Sequence, residues 1–325
     1  MYLFNRERNY FMPHRLLIPQ GALLPALQKR LENKYECYFM PKDPAEKSAF
    51  LRDHGKGVEA LATNAGVGAS ADLVDALPDI KVISSMGVGL DAIDLPAMRE
   101  RGIAVGYTPD VLNDCVADLA FTLLANLTRR INVADAFVKR GDWLNGGFPM
   151  ATRISGKRLG ILGMGRIGSV IAKRATGFDM EVRYHNRKPV EGSALGYVGS
   201  AVELAQWADF LVVASAGGAS TRSLVSADVL DALGPQGFLI NVSRGSVVDQ
   251  AALIERLANG RIAGAGLDVY ENEPNVPAAL TALDNVVLTP HVASNTQETR
   301  AAMMQRVEDN LDSFFAGRGV VSSAL

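Results

Sequence analysis

Cysteine is nearly absent. Cys37 and Cys115 are the only two in 325 residues, too few for a disulfide scaffold or a thiolate metal site. Histidine is scarce as well, with His14, His54, His185 and His291 scattered along the chain, and no metal is expected. A long apolar run is missing: the richest segment, Val116 to Leu127, carries Asp118 and Asn126, whereas a membrane span needs ~18 apolar residues in sequence. No membrane partner is therefore expected. The N-terminal stretch is broken by Pro13, Pro19, Gln20 and Pro25, which makes a poor secretion signal, so the expected location is cytoplasmic. Neither sign of charge predominates, since 33 Lys and Arg stand against 35 Asp and Glu for a net charge of −2. Without a basic block, no nucleic-acid partner is expected.

The apolar content, by contrast, is 48% against 21% charged residues, which excludes disorder and predicts an ordinary globular protein. A chain of this length exceeds the usual size of a single core, so two domains with a cleft between them are expected. Short β-like runs alternate with amphipathic segments throughout. In the first hundred residues the strands fall at Arg15–Pro19, Tyr35–Met40, Val58–Thr63, Lys81–Ser85 and Ile103–Tyr107, with helical patterns between them. Such a βαβ series builds a parallel sheet covered on both faces, and the fold class is α/β with a doubly wound domain.

From Asn113 to Ile131 apolar residues recur every three or four positions, predicting a long helix with Asn113 and Asp114 as its cap. After the Gly- and aromatic-rich segment from Gly141 to Met150, a second βα series begins. Its strands are expected near Arg158–Leu162, Glu181–Tyr184, Phe210–Ala214, Phe238–Val242, Ala263–Val269 and Val286–Leu288. The final helix, Gln297 to Phe315, is too short for a core of its own and is expected to pack back on the first domain.

Gly163-Met-Gly-Arg-Ile-Gly168 matches GxGxxG, a weak pattern alone but stronger directly after the apolar strand Leu159–Leu162 and at the start of a helix. Gly163 permits the turn, Gly165 lets backbone approach a pyrophosphate, and Gly168 allows helix and strand to pack closely. Arg166 and Ile167 open the helix, whose free N–H groups and positive dipole end suit an anion. A nicotinamide dinucleotide is the expected cofactor. At the end of the next strand, 23 positions after Gly163, Asn186 stands where an Asp or Glu would select the free ribose 2′-OH. Arg187 and Lys188 follow with two positive charges suited to a 2′-phosphate. NADPH is expected over NADH, with NADH the second candidate. The plainer reading of the pair is a solvated turn.

Charged residues at the carboxyl ends of later strands supply candidates for chemistry. Arg244 follows the strand at Phe238, Glu273 lies past Val269, and His291 follows Val286–Pro290. Singly these read as a turn residue beside Gly245, a solvated loop acid before Pro274 and a satisfied interdomain histidine. Together they suit the reduction of a 2-oxo acid: a cation to bind the carboxylate and polarise the carbonyl, a hydride donor, and an acid to protonate the alkoxide. A carboxylate bonded to the imidazole favours its charged form, and Glu273 is the candidate.

The chain resembles the D-isomer-specific 2-hydroxyacid dehydrogenases over nearly its whole length. The resemblance rests on Ser84–Asp94, Arg101-Gly-Ile-Ala-Val, Thr108-Pro109, Val116-Ala-Asp118, Gly163–Gly168, Asn241-Val-Ser-Arg-Gly245, Leu267–Pro274 and Pro290-His-Val-Ala-Ser294, in the family's order. Within the family it is most similar to glyoxylate, hydroxypyruvate and hydroxyphenylpyruvate reductases, through Gly156-Lys-Arg-Leu-Gly, Asp231-Ala-Leu-Gly-Pro and Glu298-Thr-Arg300. The interval from Arg244 and the position before Pro274 favour Glu273 over Glu271 as the family's glutamate.

The resemblance implies a flavodoxin-like substrate-binding domain from residues 1–104 and 292–325, with a Rossmann cofactor domain, 105–291, inserted between them. It implies hinges near Asn113 and Pro290 and a homodimer built largely on the cofactor domains. The N–H groups of Val88 and Gly89 are implied to hold the substrate carboxylate. Val242, Ser243, Asp268 and Ser294 are implied to lie at the cofactor or active site. Phe148 and Met150 lie in a loop that in some relatives reaches the partner's pocket.

Two departures stand out. Ala216-Gly-Gly218 replaces a common Pro-Leu-Thr stretch, and the eleven residues before Met12 have no counterpart, reading as a flexible extension or a different start site. The competing substrates are 2-ketogluconate, a phenylpyruvate, or 3-phosphoglycerate with NAD, the last opposed by Arg187 and Lys188 and by the absence of a regulatory segment before Leu325. A nucleotide-sensing, corepressor-like protein is the reading from another class.

Overall fold

The computed structural model describes residues 13–325, so the N-terminal extension before Met12 lies outside the described residues. The chain divides into two compact units. One runs to Pro109 and resumes over Arg300–Leu325, and the other is Asp110–Thr299. Each holds one fully parallel sheet, the α/β architecture that the alternation of strands and helices predicts.

In the first unit five strands, β1 (Arg15–Pro19), β2 (Glu36–Met40), β3 (Ala60–Asn64), β4 (Val82–Met86) and β5 (Ala104–Gly106), lie in the order β2-β1-β3-β4-β5. This is the flavodoxin-like order. Leu16, Leu17, Ile18, Leu61 and Ile83 are wholly buried, as strands covered on both faces must be. The C-terminal helix Gln297–Phe315 supplies part of that cover. Its Asn310, also fully buried, donates to Tyr107 O at 3.1 Å and accepts from Ser322 N–H at 3.0 Å. A side chain at Gly106 would collide with Asn310, its Cβ falling 2.7 Å from the amide carbon. On the same helix, the carboxylates of Asp312 and buried Glu308 pair with Lys34 at 2.6 and 3.2 Å. The helix therefore docks through polar contacts specific to its register as well as through Val307 and Leu311.

The second unit contains β6 (Arg158–Leu162), β7 (Glu181–His185), β8 (Gly196–Tyr197), β9 (Phe210–Val213), β10 (Phe238–Asn241), β11 (Gly264–Leu267) and β12 (Val286–Leu288). Their order is β12-β11-β10-β9-β6-β7-β8. The chain runs outward from β6 to β7 and β8, then returns to β9 on the other side of β6. This reversal is the place where doubly wound sheets bind ligands, beyond the strand carboxyl ends. The helix Asn113–Arg129 packs on β11 because two glycines leave room for it. A Cβ at Gly264 would stand 3.0 Å from Leu127, and one at Gly266 would stand 3.1 Å from Leu123.

Three details differ from the sequence expectations. The long helix is uncapped by a side chain, and Leu112 rather than Asn113 occupies the cap; the Asn113 amide bonds to Asp110 instead, at 3.3 Å. The helix stops at Arg129 because Arg130 turns left-handed, with φ of 54°, and a separate helix, Ile131–Lys139, follows. Strand β8 is two residues long and has no apolar run to announce it. No helix among the described residues is long and apolar enough to cross a membrane.

Candidate active site

The glycine loop joins β6 to the helix Arg166–Ala175. Gly163 has φ of +101°, and a Cβ there would fall 2.5 Å from Ser215 N. Gly168 is equally constrained, its Cβ position lying 2.1 Å from Gly163 O. Gly165 differs. A Cβ there would enter open space, so the protein itself imposes no need for glycine at this position. An open approach to backbone at a helix start with no side-chain cap is what a pyrophosphate requires. Ser215 Oγ, beyond the end of β9, is buried with no hydrogen-bond partner among the described residues. The residues present thus fit a dinucleotide. Arg166, on the same turn, pairs with Asp110 at 3.0 Å.

At the end of β7 the Asn186 amide turns toward the glycine loop, accepting from Met164 N–H at 2.7 Å. Asn186 thereby ties the two turns together. Arg187 and Lys188 are exposed and make no ion pair or hydrogen bond among the described residues.

Arg244, Glu273 and His291 follow β10, β11 and β12, three neighbouring strands. The turn carrying Arg244 is held by Asn241, which is almost wholly buried. Its Oδ1 accepts from the N–H and hydroxyl of Ser243 at 3.0 and 2.9 Å, and its Nδ2 donates to Arg244 O at 3.0 Å. Arg244 in turn donates through one guanidinium nitrogen to Ser243 O at 2.8 Å. Gly245 then brings this turn against the next loop: a Cβ there would lie 1.9 Å from the carbonyl carbon of Tyr270. Only glycine permits that approach.

His291 Nδ1 lies 2.6 Å from Glu273 Oε2, and Tyr270 N–H donates to Glu273 Oε1 at 3.0 Å. Burial pushes the Glu273 carboxyl up, but the hydrogen bonds from His291 and Tyr270, with the charges of His291 and Arg244, outweigh it and hold the carboxyl below the usual range. Glu273 is therefore ionised at neutral pH. An ionised carboxylate only accepts, so Nδ1 of His291 carries the proton in this contact and Nε2 is the ring nitrogen left outside it. Glu271 lies elsewhere, 3.9 Å from Arg222.

His291 has a left-handed backbone, φ 51°, a conformation unusual for a residue with a Cβ. Asp268, fully buried at the end of β11, holds it there. Its carboxylate accepts from the Thr289 hydroxyl at 2.7 Å and from Val292 and Ala293 N–H at 2.8 and 2.9 Å, while its carbonyl accepts from His291 N–H. Asp268 thus supports the loop from beneath. The Tyr270 hydroxyl, pushed up to about 12 by burial and then by the charge of Asp268, donates to Leu267 O and Thr289 O. Ser294 follows in the same loop.

In the first unit, Val88 and Gly89 follow β4. Gly87, with φ of +142°, is fastened to Thr108, whose N–H donates to Gly87 O at 3.0 Å and whose hydroxyl accepts from Gly87 N–H at 2.9 Å. The N–H groups of Val88 and Gly89 meet no acceptor among the described residues. Residues that sequence reasoning missed are Asn241, Tyr270 and Ser215. Asn241 lies within a motif that was noted, but nothing in its spacing reveals that its amide clasps the turn.

Residues 121–293 match the family model described as D-isomer specific 2-hydroxyacid dehydrogenase, NAD binding domain. The chain is 44% identical over 296 residues to hydroxyphenylpyruvate reductase of Plectranthus scutellarioides, covering 91% of this chain and 94% of the relative. It is 45% identical over 296 residues, with the same coverage, to glyoxylate/hydroxypyruvate reductase A of Arabidopsis thaliana. Among solved structures, the NADPH-dependent glyoxylate/hydroxypyruvate reductase of Sinorhizobium meliloti, in complex with NADP and malonate, superposes with a TM-score of 0.88. That pair is 42% identical, with 95% of this chain and 96% of the other covered.

Proposed function

Because the chain belongs to the D-isomer-specific 2-hydroxyacid dehydrogenases, a family of NAD(P)-dependent oxidoreductases, we propose that it reduces a small 2-oxo acid of the glyoxylate or hydroxypyruvate type to the D-2-hydroxy acid, with NADPH preferred. The observation that carries this reading is the 2.6 Å contact of His291 with an ionised Glu273, on the strand end next but one to Arg244. Arg244 binds the substrate and polarises its carbonyl, and His291 Nε2 gives the proton to the alkoxide as it forms. Glu273 fixes the tautomer that presents Nε2 outward and stabilises the imidazolium. When bound, the dihydronicotinamide supplies the hydride. Gly163, Gly165 and Gly168, with the helix start at Arg166 and Ile167, hold its pyrophosphate. Val242, Ser243 and Ser294 line the cofactor's side of the strand ends, and Asp268 acts on it through the loop it supports.

In the first unit, the N–H groups of Val88 and Gly89, which meet no acceptor among the described residues, are the seat for the substrate carboxylate. At the end of β7, Arg187 and Lys188 take the ribose 2′-phosphate, and the lack of a carboxylate at Asn186 removes the group that would repel it. The relatives in Arabidopsis and Sinorhizobium act on glyoxylate and hydroxypyruvate, and the latter is NADPH-dependent, which supports both halves of the proposal. A preference for NADPH favours the reductive direction.

The protein acts as a homodimer through its second unit. Trp143 is 69% exposed, Leu144 92% and Met150 fully, three large apolar side chains in one short segment that a partner subunit would take out of water. Phe148 rests edge-on against Phe137 at 5.4 Å, beneath Arg130, and with Met150 it shapes the substrate pocket across that interface.

The test is the initial rate of NADPH and NADH oxidation with glyoxylate, hydroxypyruvate, phenylpyruvate and 2-ketogluconate in parallel. Rapid NADPH-dependent turnover of the first two establishes the proposal. No turnover with any of the four refutes it. His291→Ala and Arg244→Ala should each cut turnover by roughly 10²- to 10⁴-fold, and a near-normal rate in either removes that residue's assigned role.

A further inference from the structure

The two cations at the end of β7 stand on a segment that is fastened at both ends by tyrosine hydroxyls. At its start, Asn186 O accepts from the Tyr197 hydroxyl at 3.2 Å, while the Asn186 side chain is held by Met164 N–H. At its end, Val190 N–H donates to the Tyr184 hydroxyl at 2.8 Å. The two tyrosines face one another as direct register partners on β7 and β8, with ring centroids 5.6 Å apart and planes inclined at 64°. Tyr184 is 1% exposed and Tyr197 38%. One therefore anchors the segment in the core, and the other braces it from the sheet edge. Strand β8 itself is held by Val198 N–H donating to Tyr184 O at 2.8 Å and by His185 Nδ1, 2.9 Å from Val198 O.

An ordinary solvated turn needs no such bracing. Long cationic side chains lose rotamer freedom when they grip an anion, and a fixed backbone beneath them lowers the total ordering cost. The two-residue β8, otherwise too short to add much to the sheet, places the Tyr197 hydroxyl beside Asn186 O.

We propose that Tyr197 and Tyr184 are specificity-positioning residues: their hydroxyls clamp the segment from Asn186 to Val190 so that Arg187 and Lys188 form a preset seat for a dianionic ribose 2′-phosphate. This inference rests on the reading that the cation pair binds that phosphate. The tyrosines touch neither the phosphate nor the reacting atoms. They act through backbone alone, so their loss weakens discrimination between the two nucleotides and leaves the hydride step unaltered.

The experiment measures binding of adenosine 2′,5′-bisphosphate and of adenosine 5′-monophosphate to the full-length protein by titration calorimetry. The variants are Tyr197→Phe, Tyr184→Phe and the double variant Arg187→Ala/Lys188→Ala. Each tyrosine variant is expected to weaken the bisphosphate by about three- to tenfold, the size of one neutral hydrogen bond, with the monophosphate changed less than twofold. The double variant is expected to weaken the bisphosphate by about 30-fold or more, as loss of charge-assisted contacts does. Steady-state rates with saturating 2-oxo acid should show the same split, with KM for NADPH raised and kcat kept. Tyr197 is half-exposed, so its variant is readable even if Tyr184→Phe unfolds. A double variant that binds the bisphosphate normally overturns the cation-pair reading, and the clamp with it. A weakened double variant beside an unchanged Tyr197→Phe overturns the clamp alone. Equal loss of both nucleotides in Tyr197→Phe also overturns it, since the hydroxyl would then support the site as a whole.

Discussion

Glu273 and His291 are 18 positions apart in sequence and sit on loops after different strands, yet their side chains meet at 2.6 Å. The contact depends on parts that are not themselves reactive. Gly245 lets the β10 turn reach the backbone at Tyr270, Tyr270 N–H turns the Glu273 carboxylate, and Asp268 bends the backbone at His291 into a left-handed form.

Replacing Glu273 by Gln removes the charge while keeping the shape. The folded carboxyl lies below its usual range, so the unfolded chain takes up its proton first as pH falls. The stability this group contributes is present above the usual carboxylate range and is lost as pH drops through the folded value, which lies below that range. Thermal melts should show wild type above Glu273→Gln at pH 7, with the gap closing as pH falls below the usual carboxylate range. A gap independent of pH would show that the carboxylate is not held ionised by its neighbours.

Gly245→Ala places a methyl group 1.9 Å from the Tyr270 carbonyl carbon. The clash is with backbone, which cannot swing aside, so a loss of about 1–3 kcal/mol or more is expected in urea unfolding. Turnover should fall with it because the Arg244 turn and the Glu273 loop are pushed apart. Wild-type stability and rate together would contradict this packing.

Asp268→Asn exchanges an acceptor for an amide nitrogen opposite the N–H groups of Val292 and Ala293. Leaving one of these unpaired costs about 1–3 kcal/mol. Since the loop also carries His291, kcat should fall more than tenfold while binding of the adenosine half of the cofactor, read by adenosine 2′,5′-bisphosphate titration, stays intact. Loss of that binding instead would place Asp268 in the cofactor's nucleotide contacts.

Leu144→Asp puts a charge among the exposed apolar side chains of the segment that also carries Trp143 and Met150. Sedimentation at micromolar concentration should give a dimer for wild type and a monomer for the variant, because a charge buried without a partner is costly. A wild-type monomer would remove the homodimer.

Much of this architecture was legible in the chain. The apolar runs at Arg15–Pro19, Arg158–Leu162 and Val286–Leu288 fall on strands with the expected bounds, because buried parallel strands leave a near-continuous hydrophobic signature. The glycine spacing and the pairing of Glu273 rather than Glu271 with His291 were also within reach. What could not be read was the use of side chains against backbone. The Asn241 clasp, the Tyr270 bridge between Leu267 O and Thr289 O, and the diversion of Asn113 to Asp110 all depend on distances across a fold, and spacing carries no trace of them. Strand β8 escaped for a different reason: two residues cannot establish a period.

The order of the second sheet keeps the two proposed tasks on opposite flanks. Strand β7, whose turn displays Arg187 and Lys188, lies on one side of β6, and β10 to β12, which carry Arg244, Glu273 and His291, lie on the other. Mutational drift in one flank therefore need not disturb the other. On the proposed roles, a lineage on this scaffold can exchange its electron currency by editing a few residues after β7 while its proton chemistry is inherited intact, and an engineer can follow the same route.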